Sequence, residues 1–256
     1  MGKYHRNRIP SKTKLFIYSM VLFGLIIFTG CTYSIGEHGN PKEVVREPHI
    51  KFAAKPDMEI NLKAIPGELI IKGIEGDEAA ASMEVRCPDT MGECADHFRD
   101  LEFETSSRGN SIAVKPSKGL GFKGNRSVKT ILSLPPVSRL VVKMTAGEVH
   151  ISDIDVNELY LDMKAGEVDI DVDKIKSYLK VNLTAGEVNV EIPESAVSEV
   201  DIDVNIGDAS IISNTMVKDV KRSFLVGASD RRIISNSGAV VYVDVHVGDI
   251  RVDLTE

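Results

Sequence analysis

The chain has 256 residues but no tryptophan, and its aromatic residues together make up only 5% of it. So few aromatic rings are a weak argument against a surface on which sugars stack. The sequence also lacks the nucleophile elbow, the phosphate-binding loop, the dinucleotide-binding glycine pattern and the ligand spacing of zinc sites. We therefore expect no catalytic residues, no metal site and no cofactor, and we expect the protein not to be an enzyme.

Long apolar stretches are scarce too, and the one that stands out lies near the start of the chain. Five basic residues and no acidic one precede an apolar run over Leu15–Phe28. This run is shorter than the roughly 20 residues that a membrane-spanning helix needs. A basic start, a short apolar run and small residues at its end are typical of a secretory signal peptide, which we assign to residues 1–30. An uncleaved short membrane anchor is the alternative.

Cys31 closes this leader in the segment Phe28-Thr-Gly-Cys31, which resembles the lipobox of bacterial lipoproteins, although Leu is usual where Phe28 stands. The resemblance implies a diacylglycerol on the Cys31 sulfur and an acyl chain such as palmitate on its amino group, which together anchor a protein stably in a membrane. A cysteine that is merely buried is the alternative. With Thr32 next in the chain, the resemblance implies the outer membrane of a Gram-negative cell, or otherwise the outer surface of the cell membrane.

The segment that begins at this cysteine, residues 31–57, contains several prolines and glycines and keeps no hydrophobic period. We expect it to be a tether that holds the folded part away from the membrane.

Positive charge becomes scarce once the leader is set aside. Without the five basic residues of the leader, 26 of the 31 basic residues remain against 38 acidic ones, a net charge of −12. Such a protein is not expected to bind nucleic acid. Anionic lipid headgroups should repel it as well, so the lipid on Cys31 has to provide the attachment to the membrane.

Cysteine is rare, and two cysteines remain after the leader, Cys87 and Cys94. Pro, Asp and Gly lie between them and favour a turn that brings the two residues together. In an exported protein an isolated pair of this kind predicts a disulfide rather than a metal site. Two free thiols are the alternative.

What the sequence does contain is a repeat in residues 139–256. Three copies read Ala-Gly-Glu-Val, and weaker copies keep the glycine. Residues seven, five and three positions before each glycine are mainly apolar, and those between them are mainly polar, which is the period of a strand with one buried face. The repeated glycines lie 19 to 21 residues apart at Gly147, Gly166, Gly186, Gly207, Gly227 and Gly248.

This period predicts an all-β fold, a single β-solenoid or β-helix domain over residues 58–256, with rungs of roughly 20 residues. Glycine permits the sharp turn that lets both strands of a rung face one interior. If each rung pairs with the next in the sequence, Tyr160 and Tyr242 share an outward column but lie four rungs apart. The fifth copy departs from the pattern, since Arg222 occupies an inward column and Ser229 and Arg231 replace apolar residues. We expect a bulge, a register shift or a pocket near residues 221–232.

The repeated segments of the chain resemble the bacterial putative-adhesin family, a β-solenoid domain of unknown function. The similarity is carried by the Ala-Gly-Glu-Val series and by the earlier segment of residues 67–77, and it spans roughly residues 58–256. It implies an exported or membrane-anchored envelope protein, and it brings no catalytic residues.

An acidic residue follows nearly every turn glycine, and stacked rungs would align these residues into a column. The column would hold Glu148, Glu167, Glu187, Asp208 and Asp249, interrupted at Ala228. A solvated turn position is the main interpretation, because a catalytic pair would not recur in every repeat. Weak binding of a divalent cation, or of a basic partner, is the alternative.

Taken together, the sequence predicts a lipid-anchored interaction or structural module of the cell envelope that contacts an envelope protein or polysaccharide. Two alternatives remain open. One is a β-helix enzyme that acts on polysaccharides, and the other is a lipoprotein that senses envelope stress.

Overall fold

Strands make up most of the chain that the structure describes. The structure is a computed structural model and describes residues 43–88, 92–118, 126–213, 221–222 and 227–256. The signal peptide, Cys31 and the first part of the expected tether lie outside these residues and stay predictions.

The described strands belong to one sheet of sixteen strands. In chain order they are β1 (Glu43–Arg46), β2 (His49–Ala53), β3 (Glu59–Lys63), β4 (Gly67–Gly73), β5 (Glu78–Cys87), β6 (Phe103–Arg108), β7 (Ser111–Pro116), β8 (Ser127–Leu134), β9 (Val137–Ser152), β10 (Asp155–Asp171), β11 (Lys174–Pro193), β12 (Val197–Ile206), β13 (Ala209–Ser213), β14 (Lys221–Arg222), β15 (Ala228–Ile233) and β16 (Ala239–Thr255). The helix α1 (Gly92–Phe98) follows β5, and a 3-10 helix (Glu194–Ala196) follows β11.

Alternation of apolar and polar residues explains why these segments form strands with one buried side. In β10 the side chains of Leu159, Leu161 and Met163 are buried, while the intervening Tyr160 and Asp162 point outward. The alternation resumes after Gly166 in the same strand, so both halves of a rung face one core. Each buried aliphatic side chain contributes at most about 1.5–3 kcal/mol to folding.

The repeats stack in parallel with matching positions side by side, which confirms the predicted solenoid. The glycines at positions 147, 166, 186 and 248 are register partners in β9, β10, β11 and β16. An earlier rung precedes them, because β3 and β4 both pair with β9 and bring Gly67 beside Gly147. The first and second halves of that rung continue outward to β7 and β8.

The order of the last rungs differs from the order in the sequence. The final strand β16 lies between β11 and β12, so the Gly248 rung follows the Gly186 rung and the Gly207 rung lies outside it. The expectation that each rung pairs with the next one along the chain is therefore wrong from the fourth copy on.

Strand continuity gives a physical reason for this order. The central strand β16 runs without a break from Ala239 to Thr255 and pairs on both sides, whereas the fourth copy is split into β12 and β13 at Gly207 and Asp208. An interior strand must satisfy both of its backbone edges, which suits the unbroken β16. In the fourth copy β12 pairs on its far side with β15, whereas the described β13 pairs with β16 alone, so a break between the two costs little pairing.

The fifth copy is not a rung. Its strand β15 runs antiparallel to β12, so the irregularity expected near residues 221–232 takes the form of a reversed strand. Ser229 and Arg231 are exposed. Asp230 and Arg232 are the register partners of Ile202 and Val200, and they form an ion pair in which Arg232 Nε lies 2.8 Å from Asp230 Oδ2. This polar pair closes the apolar stack at its end, as capping repeats of solenoids do. Of Arg222 the structure describes the backbone alone, in β14.

Part of the expected tether is folded. Strands β1 and β2 pair antiparallel with β5, so the prediction of a tether over residues 31–57 is wrong from Glu43 onward. Ile50 and Phe52 pack against the main core. These two short strands escape a search for period because Pro48 separates them and leaves too few alternating residues in each.

The predicted disulfide is present, since Cys87 and Cys94 are bonded with their Cα atoms 5.9 Å apart. It joins the end of β5 to the helix α1. Around it lies a second, smaller core in which Phe98 and Leu101 pack with Val85.

We predict that Gly166→Ala destabilises the fold by about 3–5 kcal/mol. Gly166 has φ +132°, and a Cβ there would collide with the carbonyl oxygen of Gly147 in the rung below. Gly76→Ala is the matched control, because Gly76 has φ +113° but open space around it, so it carries the backbone strain without the collision. Urea denaturation measures both, and equal losses of stability would contradict the close approach.

Paired cysteines test the rung order. We expect Asn182→Cys with Asp244→Cys to crosslink, because these positions are register partners across β11 and β16. Asn182→Cys with Asp203→Cys should not, since β16 separates them by about two strand spacings of 4.8 Å, beyond the reach of a disulfide. Non-reducing peptide mapping reads the bond, and the opposite result would restore sequential stacking.

Candidate functional site

The most regular surface feature is the corner where the rungs turn, which we call the glycine corner. In each of its rungs the glycine has a positive φ, and a Cβ would collide with the backbone of the rung below. A side chain at any of these positions would push two rungs apart, so the corner is lined by bare backbone. In stack order the glycine corner comprises Gly67, Gly147, Gly166, Gly186, Gly248 and Gly207.

The acidic residues that follow these glycines form one column, as predicted, but with a different membership and order. Asp249 lies between Glu187 and Asp208 because β16 is inserted there. Glu68 joins at the other end, beside Glu148. The column is not interrupted at Ala228, which lies in the reversed strand β15. Its order is Glu68, Glu148, Glu167, Glu187, Asp249 and Asp208.

The two ends of this acidic column are compensated and its middle is solvated. Lys129 Nζ lies 2.9 Å from Glu68 Oε1, and the backbone N–H of Asp208 donates to Asp249 Oδ1 at 2.9 Å. Glu148, Glu167 and Glu187 are exposed on adjacent strands, where the spacing between neighbours is about 4.8 Å. Their charges repel one another, and water and salt screen that repulsion.

An open trough of about 710 Å³ runs along the glycine corner and the acidic column. Its walls are backbone, alanine side chains such as Ala146 and Ala165, and carboxylates. Within the described ranges, no group of three or more His, Cys, Asp or Glu side chains is placed to hold a metal ion. The cation-binding edge therefore stays a prediction, and the arrangement is a ladder of single carboxylates, one from each rung.

A cluster of tyrosines and basic residues that sequence reasoning missed lies on the outward side of the first halves of β9, β10, β11 and β16. Tyr160 and Tyr178 lie on neighbouring strands with ring centroids 5.5 Å apart. The Arg139 guanidinium carbon lies 4.2 Å from the centroid of the Tyr160 ring, and Lys180 Nζ lies 4.8 Å from that of Tyr242. We call these five residues the tyrosine face. They come together because β16 lies next to β11, which makes Lys180 the register partner of both Tyr160 and Tyr242.

The phenols of Tyr160 and Tyr242 stay protonated at neutral pH. Burial is the main cause that raises the pKa of Tyr160, and the nearby Glu158 carboxylate raises it further. Burial also raises the pKa of Tyr242, with Asp244 adding to the shift. A neutral phenol can both donate and accept a hydrogen bond.

A polar groove of about 410 Å³ adjoins the tyrosine face at Arg139 and Glu158. Arg139 lies 3.5 Å from both Glu59 and Glu158, and Asn110 Nδ2 donates to Asp57 Oδ2 at 3.1 Å. The groove therefore offers charged groups of both signs, and hydrogen-bond donors and acceptors, beside the aromatic rings.

The basic residues near the loop at 116–129 are largely used within the chain. Lys115 lies 2.9 Å from Glu104, Lys118 lies 3.6 Å from Asp100, and Lys129 pairs with Glu68. Residues 119–125 lie outside the described part. Each of these three described lysines is therefore held in an ion pair with a carboxylate of the same chain.

Helices are few in the described part of the chain, and none of them has the length and apolar character needed to cross a membrane.

A stack of parallel rungs with a glycine corner and polar outer faces defines the protein as a β-solenoid-like domain. Residues 127–253 match the family model described as Toastrack DUF4097. The resemblance to an adhesin-like family of unknown function is thus confirmed. None of the curated proteins matches the chain.

One solved structure shows a comparable fold, and two others were matched at lower scores. The crystal structure of a "putative cell adhesion protein" from Clostridium sporogenes is 14% identical, with a TM-score of 0.57, and the match covers 82% of this chain and 100% of that one. A "putative adhesin" from Bacteroides fragilis is 9% identical over 84% of this chain and 99% of that one, with a TM-score of 0.28. A "putative lipid binding protein" from Parabacteroides distasonis is 11% identical over 86% and 98%, with a TM-score of 0.22. The first match supports the fold alone, and the two lower scores carry no argument.

We predict that Glu167→Gln stabilises the protein by about 0.5 kcal/mol at low salt, since it removes a charge between two like charges. The gain should vanish in high salt as screening increases. Glu68→Gln is the control with the opposite sign, because Glu68 pairs with Lys129. Thermal unfolding at two salt concentrations measures both effects. A Glu167→Gln variant less stable than the parent would contradict net repulsion along the column.

Proposed function

We propose that the chain is a lipid-anchored module of the cell envelope that acts by contact rather than by catalysis. Its Cys31 carries the lipid, on the extracytoplasmic side of a membrane, and its outer faces bind another envelope component. The observation that carries this proposal is the stack itself, which presents rows of outward side chains from strand after strand.

The distribution of polar groups supports a contact function. The carboxylates recur once per rung along the acidic column, so they follow the repeat of the scaffold and do not converge on one point. Repetitive flat faces of solenoids suit the binding of extended partners. Function in such a domain depends on the side chains of its faces and not on the fold.

The membrane attachment is supported by the sequence alone. The leader and Cys31 predict acylation, and the described strands begin at Glu43, so only a short segment separates the lipid from the sheet. The acidic column would be repelled by anionic headgroups, which fits attachment through lipid rather than through the protein surface.

One experiment tests both parts of the proposal. The wild-type chain and Cys31→Ser are produced in bacteria, crosslinked in intact cells and followed into membrane and soluble fractions. We expect the wild type to incorporate labelled palmitate, to stay with the membrane and to crosslink to one envelope component. Cys31→Ser should incorporate no label and leave the membrane fraction. A wild-type protein that carries no lipid, or that degrades an envelope glycan, would contradict the proposal.

A further inference from the structure

We propose that the tyrosine face and the polar groove beside it form a binding surface for an uncharged polysaccharide strand. This inference rests on the proposed contact function and names the chemical class of its partner. It reverses the weak argument against sugar stacking that the low aromatic content suggested.

The first step is the concentration of rings. Aromatic residues make up only 5% of the chain, yet Tyr160, Tyr178 and Tyr242 lie on the consecutive strands β10, β11 and β16 of one outer face. All three are partly exposed. Tyrosine combines a flat apolar body with a polar tip, which matches the apolar faces and hydroxyl edges of a sugar ring.

The second step is the orientation of those rings. Arg139 and Lys180 lie over the rings of Tyr160 and Tyr242. A cation over a ring covers one of its two faces and restrains it, which lowers the entropy that binding would cost. Both cations also place N–H donors next to the rings.

The third step is the groove that continues the tyrosine face. It adds the hydroxyls of Ser111 and Ser138, the Asn110 amide and the carboxylates of Glu59 and Glu158. From β7 to β16 the surface crosses six adjacent strands in the order β7, β3, β9, β10, β11 and β16. At about 4.8 Å per spacing this is about 24 Å, enough for several sugar units of an extended strand.

The charged side chains around the rings favour one class of ligand over the others. Outward carboxylates such as Asp162, Asp201 and Asp244 surround the rings and repel an anionic polymer. A basic protein segment would be repelled by Arg139 and Lys180, which lie over the same rings. An uncharged chain of hydroxyl groups and apolar ring faces meets neither obstacle.

A binding assay with two uncharged polysaccharides tests this surface. The full chain, solubilised in detergent, is mixed with chitin or cellulose particles, and the loss of protein from solution is measured. We expect saturable binding to at least one of them. Tyr160→Ala, Tyr178→Ala and Tyr242→Ala should each weaken it by about tenfold. Asn189→Ala, on the outer face of the second half of β11, is the matched control and should leave binding unchanged.

A second measurement needs no variant. Because the chain has no tryptophan, its intrinsic fluorescence comes from tyrosine, and a soluble chitin oligosaccharide should change it with the same affinity order as the particles. Binding to neither polysaccharide, or binding that survives loss of all three tyrosines in a folded protein, overturns the inference. If the chain fails here but still crosslinks to an envelope protein, the proposed contact function stands. If it binds chitin and cleaves it, the surface stands and the non-catalytic function fails.

Discussion

The fold depends on the close approach of bare backbone at the glycine corner. Each turn glycine places its backbone where a Cβ would strike the carbonyl of the rung below, so any other residue would separate the rungs. With the corner aligned, the strands on both sides of it fall into the same register. Buried columns, outward columns and the acidic column all follow from that single alignment.

The same alignment has an electrostatic consequence. A residue type that recurs in the repeat recurs in space, so one acid after each glycine becomes a line of carboxylates about one strand spacing apart. The stack tolerates this because the middle carboxylates are exposed and the Glu68 end is paired with Lys129. At the far end the backbone N–H of Asp208 donates a hydrogen bond to Asp249 Oδ1.

The inserted strand β16 changes the character of one outer face. In the order of the sequence, Tyr160 and Tyr242 would be distant residues of one column. With β16 beside β11 they lie on either side of Lys180, and scattered polar and aromatic residues become one surface. The insertion thus links the topology of the stack to the side chains that the proposed function requires.

The sequence by itself determined the features that depend on near neighbours in the chain. Strand alternation around Leu159 and Val168, the positive φ of Gly166 and the bridge between Cys87 and Cys94 each require only a short segment. Tertiary structure alone decided the order of the rungs, the reversal of β15 and the pairing of His49–Ala53 with β5. The physical reason is that every rung presents the same alternation to its neighbours, so any rung can pair with any other, and only the competition among whole strands selects the partner.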